Sequence, residues 1–260
     1  MFARRSRIVL LIMLAATTVV ACSGSPTSPT SPAGGGGPAL AVISETSHYV
    51  FRASPGDTID TNWQERYHAW ATATLGVTNA RRITYNKYTS RSHMQAVIGV
   101  GNTNGFADRT TFTIHTLWPI DNHEVVHLFT SDWGDPVALV NEGLAVAFQI
   151  DPGRDMTPRW SGTPLHDLMR SFRQQSRAVS LARLVDTASW RAEDPNVTYP
   201  ESGSFMRWLI DTYGLDRVRG LYARAAGPNE AATGVRASFA AIYGRTVEEL
   251  EQEWLAAIGR

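Results

Sequence analysis

Short runs rich in Val, Ile, Thr, Tyr and Phe, set between Gly-, Asn- and Asp-rich turns, mark the chain from residue 48 to residue 116. Their composition and punctuation predict strands over 48–52, 82–86, 95–100 and 111–116. One helix interrupts them, from Thr61 to Leu75 with Trp63, Tyr67 and Trp70, closed near Gly76. From residue 119 the pattern turns almost wholly helical. Asp135-Pro136 reads as an N-cap and first turn, and Asp151-Pro152-Gly153 as the stop of that helix. Gly214 ends a helix running from about Ser202, and Thr246 with Glu249 forms a capping box for the last one. Trp208, Tyr222, Phe239 and Trp254 in these helices read as core packing rather than substrate contacts. The expected class is α+β, with an amino-terminal mixed sheet and a carboxy-terminal helical half.

The first forty residues are of another kind. Arg4, Arg5 and Arg7 precede an apolar run, Ile8 to Ala16, that is short for a membrane span and reads as a signal peptide over residues 1–21. Val19-Val20-Ala21-Cys22 resembles a bacterial lipobox, so Cys22 is the expected lipidation site; an ordinary signal peptide with an incidental cysteine is the alternative. Cys22 is the single cysteine, which excludes an intramolecular disulfide. Residues 22–40, with Ser, Pro and Thr followed by Gly34 to Gly37, read as a disordered tether. The expected location is the bacterial cell envelope, and Ser23 after the cysteine suggests the outer membrane if the host has one.

Residues 41–260 suffice for one catalytic domain. Twenty-four basic and twenty-four acidic side chains balance, so no basic excess argues for a nucleic-acid partner.

The chemistry concentrates in His123-Glu124-Val125-Val126-His127 and Asn141-Glu142-Gly143-Leu144-Ala145. Positions i and i+4 of a helix lie about 40° apart around its axis, so His123 and His127 point the same way and can share one zinc ion. Glu124 lies roughly 100° from His123 and can reach water on that ion without being a ligand. Glu142 is the candidate third ligand. The bland alternative is a buried helix with two satisfied histidines. Against it, the flanking Ile120, Val125, Val126, Leu128 and Phe129 are apolar nearly all round. Burying two imidazoles and a carboxylate there without a cation would cost several kcal/mol. The segment Val137 to Ile150 is equally apolar apart from Asn141, Glu142 and Gln149.

These two motifs resemble the gluzincin zinc metallopeptidases, most of all the bacterial peptidase MA-type group, distant relatives of thermolysin. Weaker matches extend the resemblance over most of the chain from Ala41. They are His48-Tyr49-Val50-Phe51, Ser54-Pro55-Gly56-Asp57, Gly105 through His115 as an edge strand, Tyr199 to Phe205, and Tyr243-Gly244-Arg245-Thr246. The resemblance implies a thermolysin-like fold and one zinc ion per chain on His123, His127 and Glu142. Glu124 would be the general base acting on a zinc-bound water in peptide-bond hydrolysis. It also suggests Tyr199 as oxyanion donor, although a tyrosine beside Pro200 can equally cap or pack a helix; Tyr213 and His166 are weaker candidates. Relatives often carry an acidic residue four positions after the glutamate ligand to orient a histidine, and here that position is Val146. Asp121, Asp132, Asp135 or a backbone carbonyl would have to serve instead.

Substrate is expected to be a peptide or protein, laid along the strand Thr111 to Ile114. No G-x-M-E-N element of the aminopeptidase branch is present, so an endopeptidase is favoured over recognition of a free amino terminus. Asn141 is a candidate substrate or loop contact. Two other classes stay open: a catalytically weak or inactive binding lipoprotein on the same scaffold, and a hydrolase of non-peptide amides. Oligomeric state is not encoded in any feature of the sequence.

Overall fold

The computed structural model describes residues 39–78, 81–149, 163–225 and 227–259. Strand β1 (Ala41–Glu45) leads into β2 (Tyr49–Ala53), where Tyr49, Phe51 and Ala53 are buried and alternate with less buried neighbours. A period of two puts those three on the core face. After β3 (Ile83–Lys87), β4 (Gly105–Asp108) and β5 (Thr113–Thr116), the strands form one mixed sheet in the order β1-β2-β3-β5-β4. The two central pairings, β2 with β3 and β3 with β5, are parallel, whereas β1 and β4 are antiparallel edges.

Helix α1 (Thr61–Leu75) buries Tyr67, Ala71 and Leu75, one face at a spacing of four. Asp60 caps its start by accepting from the Trp63 amide, and Gly76 closes it in the left-handed region at φ 60°. Residues 95–100 are not the strand expected. They fall in α2 (Arg91–Ile98) and its cap, because Ser90 accepts from the His93 amide at one end and Gly99, at φ 76°, stops the other. The β-branched residues of that run were the misleading signal. Met94, Val97 and Ile98 instead stand at helical spacing in a small cluster with Leu40 and Tyr88.

The stretch 105–116 is likewise a hairpin rather than one edge strand: β4 is the edge, and β5 is paired on both sides. Thr111 to Ile114 therefore cannot accept an added strand.

The helical half comprises α3 (Asn122–Phe129), α4 (Ala138–Phe148), α5 (Leu165–Gln174), α6 (Leu181–Leu184), α7 (Thr187–Ala192), α8 (Pro195–Tyr213), α9 (Leu215–Arg224), α10 (Ala232–Tyr243) and α11 (Val247–Ile258). Helix α4 starts three residues after the expected Asp135 cap, since the Asp135 carboxylate is taken by Arg109 at 2.9 Å. Residues 151–153, expected to stop it, lie outside the described residues; α4 ends at Phe148. Helix α8 begins at Pro195, not Ser202, with Asp194 capping the Asn196 amide; Pro200 lies inside it, in the second turn. The capping box of Thr246 and Glu249 is present.

Sheet and helices share one core. Tyr49, Phe51 and Ile114 join Val125, Leu128, Leu144 and Phe205 in the same buried cluster, with Trp208, Tyr222, Phe239 and Trp254 also in it. The architecture is α+β, as the pattern predicts. Among the described residues no helix is long and apolar enough to cross a membrane.

Candidate metal centre

Helices α3 and α4 bring three donor side chains to one point. The His123 Nε2 atom lies 3.0 Å from Glu142 Oε2 and 3.1 Å from His127 Nε2, and His127 Nε2 is 3.5 Å from the same oxygen. A tetrahedral ion with bonds of about 2.0–2.1 Å needs ligand atoms about 3.3 Å apart. The three separations fit that requirement. Two imidazole nitrogens 3.1 Å apart and aimed at one carboxylate also repel as lone pairs unless a proton or a cation stands between them. His123, His127 and Glu142 can therefore hold one metal ion, and all three are largely buried.

Close helix packing sets the position of Glu142. A Cβ on the neighbouring Gly143 would come within 2.7 Å of Met206 Cγ and 2.8 Å of the Ser202 carbonyl, and one on Gly203 would meet Val146 Cγ1 at 2.3 Å. Glycines at both positions let the α4 and α8 backbones approach, which fixes the rotation of α4 and turns Glu142 toward α3. Val146 thus faces α8, where it packs against Gly203.

Gln149, rather than any of the acids the sequence offered, meets His123. Its Oε1 lies 2.9 Å from His123 Nδ1. Asp121 is instead bonded to the Thr116 hydroxyl at 2.6 Å, and Asp135 to Arg109. His127 Nδ1 is buried without a hydrogen-bond partner among the described residues. Gln149 carried a sequence signal: seven residues after Glu142, it lies within about 20° of that side chain around a helix.

Glu124 is buried beside the donors without joining them, and its carboxylate takes a hydrogen bond from the Ala107 amide of β4. A Cβ on Gly105 would stand 2.8 Å from Asp121 Oδ2 and 3.4 Å from Glu124 Oε1, so a glycine is needed where β4 crosses these acids. Burial first, then the nearby Asp121 charge, pushes the Glu124 carboxyl up to about 8. Burial opposes charge on Glu142 too, but the bonds from His123 and His127 outweigh it and hold that carboxyl well below its ordinary range. For His123 burial is overcome by Glu142, Glu124 and Asp121, which raise it to about 9; burial keeps His127 below its usual value.

The donors open onto a cavity of about 1190 Å³. Trp118 and Ile120 line it, two of the three large hydrophobic side chains that stand exposed among the described residues. Their turn is pinned through its backbone, with Tyr85 donating to the Trp118 carbonyl at 2.9 Å and Gln64 to that of Pro119 at 3.5 Å. Arg109 lines it as well and, with the Tyr222 hydroxyl, binds Asn141 Oδ1. Asn141 lines the cavity too, its Oδ1 held by these two donors, and Tyr222, in the core as expected, reaches it from behind.

Tyr199 lines the same cavity, its ring 5.9 Å from the His123 ring and 4.8 Å from that of Trp190. Tyr213 is bonded to Glu253 and His166 to Ser204, and neither lines the cavity. Cys22 lies outside the described residues. No family model matches the chain, and no curated protein matches it in sequence.

Proposed function

We propose that this protein is a zinc metallopeptidase of the gluzincin type with a thermolysin-like arrangement, exported and held at a bacterial envelope by a lipid on Cys22. The observation that carries the reading is the convergence of His123, His127 and Glu142 beside a buried carboxylate, Glu124, that is not one of the donors. A ligand set of two histidines and one glutamate leaves a position open for catalysis. Zinc held there would supply a Lewis acid and lower the pKa of water in the open position.

The chain's own residues would then do the following. Glu124, buried beside the donors, would take a proton from the attacking water and return one to the leaving amine. Ala107 keeps its carboxylate aimed. Tyr199, on the cavity wall, donates to the developing oxyanion. Substrate is an extended peptide. Of the two edge strands, β1 and β4, it is β4 that adjoins the site, through the bond from its Ala107 amide to Glu124. A peptide laid along β4 by strand addition would present its backbone to the site. Trp118 and Ile120 flank it with apolar surface.

A decisive experiment combines metal analysis with a peptide-library digest of the wild type and Glu124→Gln. Zinc at one per chain in both, with hydrolysis falling about 10²- to 10⁴-fold in the variant, is the expected result. A variant that loses its metal would make Glu124 a ligand and overturn the assignment of roles. Loss of lipid labelling in Cys22→Ala tests the anchor separately.

A second reading has one observation in its favour. Among the described residues His127 Nδ1 has no hydrogen-bond partner, so a bound metal would be held by one braced and one unbraced histidine, as suits a weakly active or purely binding lipoprotein. A full complement of zinc with no cleavage of any library peptide would decide for it.

A further inference from the structure

The hydrogen bond between His123 and Gln149 sits where the carboxylate of a metallopeptidase usually stands, but it comes from a different turn of the helix and from a neutral side chain. We propose that Gln149 is the positioning residue of this metal site: its amide oxygen accepts the Nδ1 proton of His123 and so commits the Nε2 lone pair to the metal. The inference rests on the metal-site reading above.

Four observations support it. The Nδ1 to Oε1 distance is 2.9 Å, and the other ring nitrogen faces Glu142 at 3.0 Å. With a metal ion between Nε2 and Glu142, only one tautomer of a neutral imidazole serves both sides of the ring, the proton on Nδ1 toward Gln149 and the lone pair on Nε2 toward the ion. Gln149 is itself buried and tied down, since its amide donates to the Ala145 carbonyl as the C-cap of α4 and its carbonyl accepts from Asn122 Nδ2 at 3.4 Å. The ends of α3 and α4 are further clamped by Tyr67, whose hydroxyl donates to the Phe148 carbonyl at 2.6 Å. The side chain that orients the ligand is thus held by the same helix ends that position the ligands.

The alternative at residue 146 is closed by packing. Val146 is fully buried against Gly203, and an acid there would sit in an apolar helix interface. An amide also differs from a carboxylate in kind: it fixes the ring without adding a negative charge beside His123. A site braced in this way should bind its metal through geometry more than through ligand basicity.

The test uses the full chain with wild-type Gln149, Gln149→Met and Gln149→Glu, and reads zinc affinity by competition with a chromophoric chelator. Methionine is close in size and cannot accept the proton, so affinity should fall about 10- to 100-fold. Glutamate keeps the acceptor and adds charge, so affinity should equal or exceed that of the wild type. A third measurement is independent of the variants: the zinc-loaded wild type should show a slowly exchanging His123 Nδ1 proton by NMR. Equal affinity in all three proteins, a glutamate variant as weak as the methionine variant, or a His123 ring without its Nδ1 proton would overturn the proposal. Failure of the wild type to bind zinc at all would instead sink the metal-site reading beneath it.

Discussion

At Tyr199 two roles compete for one side chain, because its ring packs on Trp190 while lining the metal cavity. Replacing it with phenylalanine keeps the packing and removes the hydroxyl. If the hydroxyl stabilises an oxyanion, turnover should drop about 10²- to 10³-fold with little change in KM; an unchanged kcat would reduce Tyr199 to a packing residue. Glu201 is a residue of a different sort, buried in α8 away from the metal donors with the Val179 amide donating to it at 3.0 Å. Burial, more than the nearby Glu251 and Glu193, raises its pKa to about 8. The folded protein therefore keeps a proton there that the unfolded chain releases near its ordinary value of about 4.5. Any stability linked to that proton is fully present below 4.5 and is lost as pH rises toward 8. Glu201→Gln should accordingly unfold like the wild type at pH 4 but be more stable at pH 7.5, by about 1–3 kcal/mol. Chemical denaturation at the two pH values checks this, and an equal difference at both would show that ionisation is not involved.

Among the elements, α4 and α8 make the contact on which the site depends. Their backbones approach through Gly143 and Gly203, and a methyl on Gly203 would drive into Val146. Overpacking of this kind typically costs about 1–3 kcal/mol, so Gly203→Ala should lower the thermal midpoint and weaken zinc binding together. If the midpoint falls while zinc affinity holds, the α4–α8 contact does not set the position of Glu142. At this scale the sequence was legible where caps were local. Gly76 closing α1, and Thr246 with Glu249 opening α11, are chemical signals that need no tertiary partner. It misled where a distant partner took the signal, as Asp135 looks like a cap until Arg109 claims it. It misled too where β-branched residues outweighed local caps: the run 95–100 looks extended, yet Ser90 and Gly99 close a helix over most of it. Pro200 suggested a helix entry, yet Asp194 and Pro195 had already begun α8.

For the whole molecule, metal and fold should be linked. The donors come from two helices that share one core with the sheet, so an ion that binds only the folded state stabilises all of it. At a free zinc concentration one hundred times its dissociation constant the gain is about 2.7 kcal/mol. Thermal unfolding with and without a chelator should show that shift in the wild type and not in Glu142→Ala; no shift in the wild type would mean that zinc is not a ligand of the folded state. The sequence by itself determined the triad that can hold a metal ion, because His123 and His127 share a helix face through a spacing of four and Glu142 is the acid of the following apolar segment. It also determined the α+β class, through the change from short β-rich runs to helical periodicity. Three things waited for the tertiary structure. Gln149 as the partner of His123, β4 rather than β5 as the edge beside the site, and Asn141 tied to Arg109 and Tyr222 all join residues on separate elements. Periodicity reports which side of an element is buried. It does not report which neighbour that side meets, and at this site the neighbour decides the role.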